Sequence, residues 1–142
     1  MFRNLQHGSY KIEPVSKHLL TCELSGTFNM EGMQAWVDDM KACIHQQNGD
    51  AVGLLIDARL YTGGTAEALE IAENFHKFML HSAVIAQAHV ISSPTLYAIS
   101  LHLIPSLKGH TVKNFLRMDE ATQWITEQVQ KFSKEGSERI ED

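Results

Sequence analysis

The heptapeptide Ala51–Asp57, AVGLLID, is apolar until it closes on a carboxylate. A strand with this pattern has no wet face, so it belongs in a sheet that helices cover on both sides. It is far too short to cross a bilayer. The flanking sequence must then supply the covering helices, and it carries the periodicities to do so. Met30, Met33, Val37, Met40 and Ile44 recur at three- and four-residue steps beside Trp36, the spacing of an amphipathic helix. Asn29 is placed to cap that helix, Glu31 favours its N-terminus, and Gln47-Asn48-Gly49 is placed to stop it. On the other side, Ala58–Gly64 reads as a loop, Thr65 as a cap, and Ala66–His81 as a second helix. Leu69, Ala72, His76 and Met79 mark its inner face.

The remaining elements follow from the same rules. Ser9–Val15 and Lys17–Ser25 alternate as two strands joined near Pro14–Lys17, with Tyr10 and Ile12 on one face of the first and Leu20, Cys22 and Leu24 on one face of the second. Gly26-Thr27-Phe28-Asn29 breaks that pattern. Val84–Ser92 is a second buried strand. After Ser92-Ser93-Pro94-Thr95, Leu96–Leu103 reads as a short helix that stops before Pro105. Thr111–Met118 alternates as a last strand, with Val112, Asn114 and Leu116 on one side. Asp119 is placed to cap a final helix with Ala121, Trp124, Ile125, Gln128 and Phe132 at core spacing. The expected order is β-β-α-β-α-β-α-β-α. The expected class is α/β, a single mixed β-sheet with covering helices in one domain spanning residues 1–142. Its core is about residues 8–132, and a polar C-terminal tail, 133–142, is expected to fray.

A chain of 142 residues buries one core of this kind. Its net charge of −5 argues against a phosphate-tracking nucleic-acid binder. Protonating the eight histidines would reverse that sign in mild acid. The histidines form no metal-ligand spacing, and no nucleophile elbow is present. Cys22 and Cys43 read as free thiols of a reducing compartment. The first ten residues lack the apolar core of a secretory signal, so the expectation is a cytoplasmic protein. No cofactor motif is present: Gly63-Gly64 has no following Walker lysine, and there is no GxGxxG.

The segment Asp57–Thr65 is the best candidate site, because ligands gather beyond the carboxyl ends of parallel strands. Asp57 is expected at such an end, near Arg59. Gly63 and Gly64 permit close backbone approach, and the Thr65 helix start presents N–H groups. The competing reading is local: Asp57 pairs with Arg59, the glycines shape a turn, and Thr65 only caps. Ser93, at the end of the next strand, is expected to join the same pocket or to act as a helix cap. Leu96–Leu107 carries Tyr97, Ile99, Leu101, Leu103, Ile104 and Leu107, more apolar side chains than one face of a short helix buries. That excess points to a homodimer interface or an apolar-ligand mouth. An enzyme would need Asp57 as a base beside a histidine such as His89.

Three segments together resemble a known family. They are Gly26-Thr27-Phe28-Asn29 leading into the Trp36 helix, VGLLIDARLYTGGTAEAL (Val52–Leu69), and VKNFLRMDEATQWI (Val112–Ile125). With the element order they resemble the SpoIIAA-like, STAS-type domains, related in fold to anti-anti-sigma factors and more distantly similar to lipid-binding CRAL-TRIO domains. The resemblance implies a small non-enzymatic module, often dimeric, that binds a regulatory protein partner or a lipid-like small molecule. For the latter, Arg59, Thr62 and Ser93 would meet a carboxylate or phosphate head. Anti-anti-sigma factors carry a phosphorylatable serine, within an Asp-Ser-Ser-Gly run, where the central strand passes into the next helix. This chain has Tyr61-Thr62-Gly63-Gly64-Thr65 there, so Thr62 or Thr65 is the hydroxyl in that place.

Overall fold

The computed structural model describes residues 5–47, 49–109 and 111–141. Two strands, β1 (Ser9–Ser16) and β2 (Leu19–Phe28), lead into helix α1 (Met30–His45). Strand β3 (Val52–Gly64), helix α2 (Ala66–Met79), strand β4 (Val84–Val90) and helix α3 (Pro94–Leu103) follow. A 3₁₀ turn (Pro105–Gly109), strand β5 (Val112–Phe115) and helix α4 (Met118–Glu141) complete the chain. The strands form one five-stranded sheet in the order β1-β2-β3-β4-β5. β1 is antiparallel to β2, and the other neighbours are parallel, so the sheet is mixed.

Each face of the sheet has its own apolar interior. On one side Leu20, Cys22, Leu54 and Ile56 pack against Met33, Trp36, Val37 and Met40 of α1 and Ala72, Phe75 and Met79 of α2. On the other, Leu55, Ala86, Ala88 and Val90 pack against Ala121 and Ile125 of α4. Val52–Ile56 of β3 and the β4 strand beside it are thus dry on both faces, as the apolar run requires. The caps form as the side-chain chemistry dictates. Asn29 Oδ1 accepts from the Gly32 amide at 2.9 Å, and Thr65 Oγ1 from the Ala68 amide at 3.2 Å.

Several boundaries differ from the sequence expectation. β2 does not break at Gly26 but runs to Phe28, because Gly26 adopts the left-handed φ of 82° and the strand goes on pairing. β3 therefore has a partner beyond Asp57, and the expected loop Ala58–Gly64 is strand. The pairing passes from Glu23↔Asp57 to Ser25↔Leu60, and from Gly26↔Tyr61 to Thr27↔Gly63. β3 inserts one extra residue at each step, as a β-bulge does. Asp57 is therefore inside a strand, not at its carboxyl end. Asp119 is not the α4 cap but lies in its first turn, accepting from Arg117 Nε and Nη2 at 3.1 and 2.9 Å. Val129 is buried where the spacing pointed to Phe132, which is exposed. The reason is Gly53, whose missing side chain leaves the space that Ile125 and Val129 fill. β5 ends at Phe115, since β4 offers no partner past Val90, and Leu116 turns to solvent. α4 continues helically through residues 133–141. Asn48, in the expected stop of α1, lies outside the described residues.

Candidate functional site

β3 divides the expected site between the two faces of the sheet. Successive strand side chains alternate in direction. Ile56 and Ala58 look toward α1 and α2, while Leu55 and Asp57 look the other way. Asp57 and Arg59, two apart, share a face and close on each other. Arg59 Nε and Nη2 donate to Asp57 Oδ1 and Oδ2 at 2.9 and 2.8 Å, and the Arg59 amide donates to Oδ1 at 3.1 Å. These bonds hold the Asp57 carboxyl below its ordinary range, against the opposing effect of burial. Asp57 borders a hollow of about 270 Å³ between the sheet and the start of α4, with Lys11, Glu23 and Thr122 around it. The local pairing is thus the arrangement formed.

The other face holds a chamber of about 300 Å³ between the sheet, α2, α3 and the 3₁₀ turn. Leu24, Met33, Trp36, Ile56, Ala58, Tyr61, Leu69 and Ile91 line it, with Ile99, Leu103, Ile104 and Leu107 on the α3 side. Of the expected site residues, Thr62, Gly63, Gly64 and Ser93 border this chamber. Asp57, Arg59 and Thr65 do not, and the Thr65 hydroxyl is engaged as the α2 cap. Arg59 is therefore not placed to meet a head group here. Asp57 and His89 lie on opposite faces, so these two do not form an acid–base pair. Tyr97 and Leu101 have side chains outside the described residues.

The bulges explain why Tyr61 lines the chamber. Before the first, Ile56 and Ala58 face inward; after it the inward parity moves, so Tyr61 turns in and Leu60 is 70% exposed. Burial raises the Tyr61 hydroxyl pKa. Phe28 packs on the Tyr61 ring at 5.9 Å between centroids. At the mouth Thr62 shares a hydrogen bond of 2.6 Å with Thr27. In the wall, Trp36 meets Phe75 edge-on at 5.2 Å, and its indole N–H donates to Cys22 Sγ at 3.0 Å. Burial pushes the Cys22 thiol up to about 12, so it stays protonated and unreactive.

Sequence reasoning set His76 on the inner face of α2 and named His89 only as a partner for Asp57, and assigned neither to this chamber. His76 of α2 and His89 of β4 are both buried and both line it. His89 Nε2 lies 2.9 Å from Gln87 Oε1, and Gln87 Nε2 lies 4.0 Å from Met79 Sδ, one turn along α2 from His76. The signal was available: Gln87 and His89 are two apart in an otherwise apolar strand, so they share a face. Among the described residues, no Asp, Glu, Lys or Arg lines the chamber.

No protein-family model and no curated protein matches the chain. Solved structures do. A Shewanella loihica PV-4 protein of the DUF3478 family, with a SpoIIAA-like fold, superposes with a TM-score of 0.63 at 16% identity, over 88% of this chain and 98% of that one. An anti-sigma factor antagonist from Mycobacterium paratuberculosis gives 0.59 at 16% identity, over 84% and 95%. The Bacillus cell fate determinant SpoIIAA, in its phosphorylated form, gives 0.54 at 10% identity, over 82% and 99%. The mixed five-stranded sheet with helices on both faces is a SpoIIAA-like, STAS-type fold.

Proposed function

We propose that this domain is a non-enzymatic, cytoplasmic binding module that holds a small apolar or amphipathic ligand in the chamber beneath α3. The observation that carries this reading is the chamber itself: apolar walls, a few polar groups, and no charged side chain lining it among the described residues. Carrier and sensor sites have this composition. Native mass spectrometry of protein purified gently from cells tests it. The expected result is an adduct that denaturation releases, and a raised melting temperature on adding fatty acids or phospholipids. A clean apo mass with no thermal shift overturns it.

A second reading is supported by Ile99 and Leu103, which are 51% and 47% exposed at the chamber rim. Exposed apolar side chains on one short helix suit a protein partner or a second copy of this chain. The neighbours described as anti-sigma factor antagonists favour a regulatory partner. Light scattering at high concentration tests self-association, and a strict monomer removes it. Thr62 and Thr65 are both exposed, the first bonded to Thr27 and the second at the helix start. Regulation by phosphate would act at Thr62 or Thr65, and its consistent absence from that peptide in cells would leave binding alone.

A further inference from the structure

We infer that two copies of this chain join through the outer edge of β1, in a two-fold antiparallel register centred on Ile12. The inference uses neither the chamber nor α3. β1 is the first strand of the sheet, and among the described residues only β2 pairs with it. The backbone groups of successive strand residues point alternately to the two sides of the strand. Thr21 Oγ1 donates to Glu13 O at 3.0 Å, so the Glu13 carbonyl points toward β2. By alternation Tyr10, Ile12 and Pro14 present their backbone groups to the open edge. Pro14 fits that set, because a proline there deprives the β1–β2 ladder of no donor.

Exposed edges are commonly blunted by charge or by proline. In β1 those devices still admit one partner. Lys11 and Glu13 are exposed, opposite in sign and two residues apart, so they share the outer face of the strand. A second β1 running antiparallel about Ile12 sets Lys11 opposite Glu13 of the second copy, and Glu13 opposite its Lys11. Opposite charges in such cross-strand positions stabilise a pair, and like charges disrupt it. The same register lets the two Ile12 residues exchange both backbone bonds, and each Tyr10 N–H donate to the Pro14 carbonyl of the other copy. Centring on Tyr10 or on Pro14 brings neither charge opposite its complement, and Pro14 has no N–H to exchange. On the inner face Ile12 is half-buried against the core and meets its own copy. Tyr10 is bonded to Asp39, which marks the side of α1 that overlooks β1. Ala35 and Ala42, four residues before and three after Asp39, share that side and are small enough to admit a second α1. The two Tyr10–Asp39 pairs stay four strand residues apart, roughly 14 Å, farther than surface charges act through physiological salt.

Sedimentation velocity of the intact protein over a concentration series in low salt tests the register. A reversible dimer is expected, weak because a single strand pair buries little surface. Lys11→Glu and Glu13→Lys are each expected to weaken it by about tenfold or more, since each sets two pairs of like charges together. Combining the two substitutions restores opposite charges across the axis, and association is expected to return to within about threefold of the unaltered protein. Glu23 lies opposite Lys11 on β2 within each copy, so its effect is the same in monomer and dimer. Leu103→Asp, on α3, is expected to leave the dimer intact. Amide exchange gives a readout free of substitutions: raising the protein concentration should slow exchange at Tyr10 and Ile12, and leave Lys11 and Glu13, already turned toward β2, unchanged. A strict monomer at millimolar concentration, a dimer insensitive to either single reversal, or a combined variant as weak as the single ones overturns the inference. So does a dimer that Leu103→Asp dissociates, or one that forms without slowing exchange at Tyr10 and Ile12.

Discussion

At Gly53 the absence of a side chain decides how closely α4 can approach the sheet. A Cβ there would meet Ile125 Cγ1 and Val129 Cγ2, both at 2.8 Å. Gly53→Ala is expected to destabilise the domain by about 1–3 kcal/mol, the usual cost of overpacking, as a lower urea midpoint with unchanged slope. Cys22 sets a second residue-scale expectation. Its sulfur accepts from the Trp36 indole and its thiol is pushed up to about 12, so it should resist a thiol reagent in the native state. Mass mapping after brief alkylation at neutral pH is expected to find Cys22 unlabelled until denaturant is added.

Among the elements, α1 depends on one asparagine that does more than cap it. Asn29 Oδ1 accepts from the Gly32 and His7 amides, both at 2.9 Å, while Nδ2 donates to Leu5 O at 2.7 Å. The helix start and the segment before β1 are thereby joined. Asn29→Ala is expected to cost about 1–2 kcal/mol through the cap. Amide exchange should quicken at His7 as well as at Gly32, which a simple cap loss would not produce. The 3₁₀ turn has a comparable anchor on α2: the Glu73 carboxylate accepts from the Ser106 amide at 3.1 Å and from the Ser106 hydroxyl. That clasp fixes the wall bearing Ile104 and Leu107. Glu73→Ala, by leaving Ser106 without these acceptors, is expected to cost about 1–3 kcal/mol and to expose the Ser106 amide to exchange.

For the whole molecule, the pH response follows from groups whose protonated form the fold favours. The Cys22 thiol rises from its ordinary 9.0 to about 12, chiefly by burial. The Tyr10 hydroxyl rises from 10.0 to about 12 through burial and its bond to Asp39. The native state therefore holds more protons than the unfolded chain above about pH 9, so stability should fall from there toward pH 12. Urea midpoints measured across that range test the sign, and a Cys22→Ser variant should flatten part of the slope. The architecture was legible because each element states its own period: AVGLLID for a strand dry on both faces, and the Met33–Ile44 stripe for a helix. The site was legible only in part. Thr62, Gly63, Gly64 and Ser93 border the chamber, whereas Asp57, expected at a strand end, lies within β3 and pairs with Arg59 away from it. A bulge adds one residue to an otherwise continuous strand and leaves no compositional trace, so the parity that turns Tyr61 inward could not be counted from the chain.

The division of β3 between two faces has a practical consequence. Position 59 is exposed and has its back to the chamber, while Cys22 is buried and Cys43 half-buried. An Arg59→Cys variant thus offers an accessible thiol by which the domain can be fixed to a sensor surface with the mouth of the chamber facing the solution.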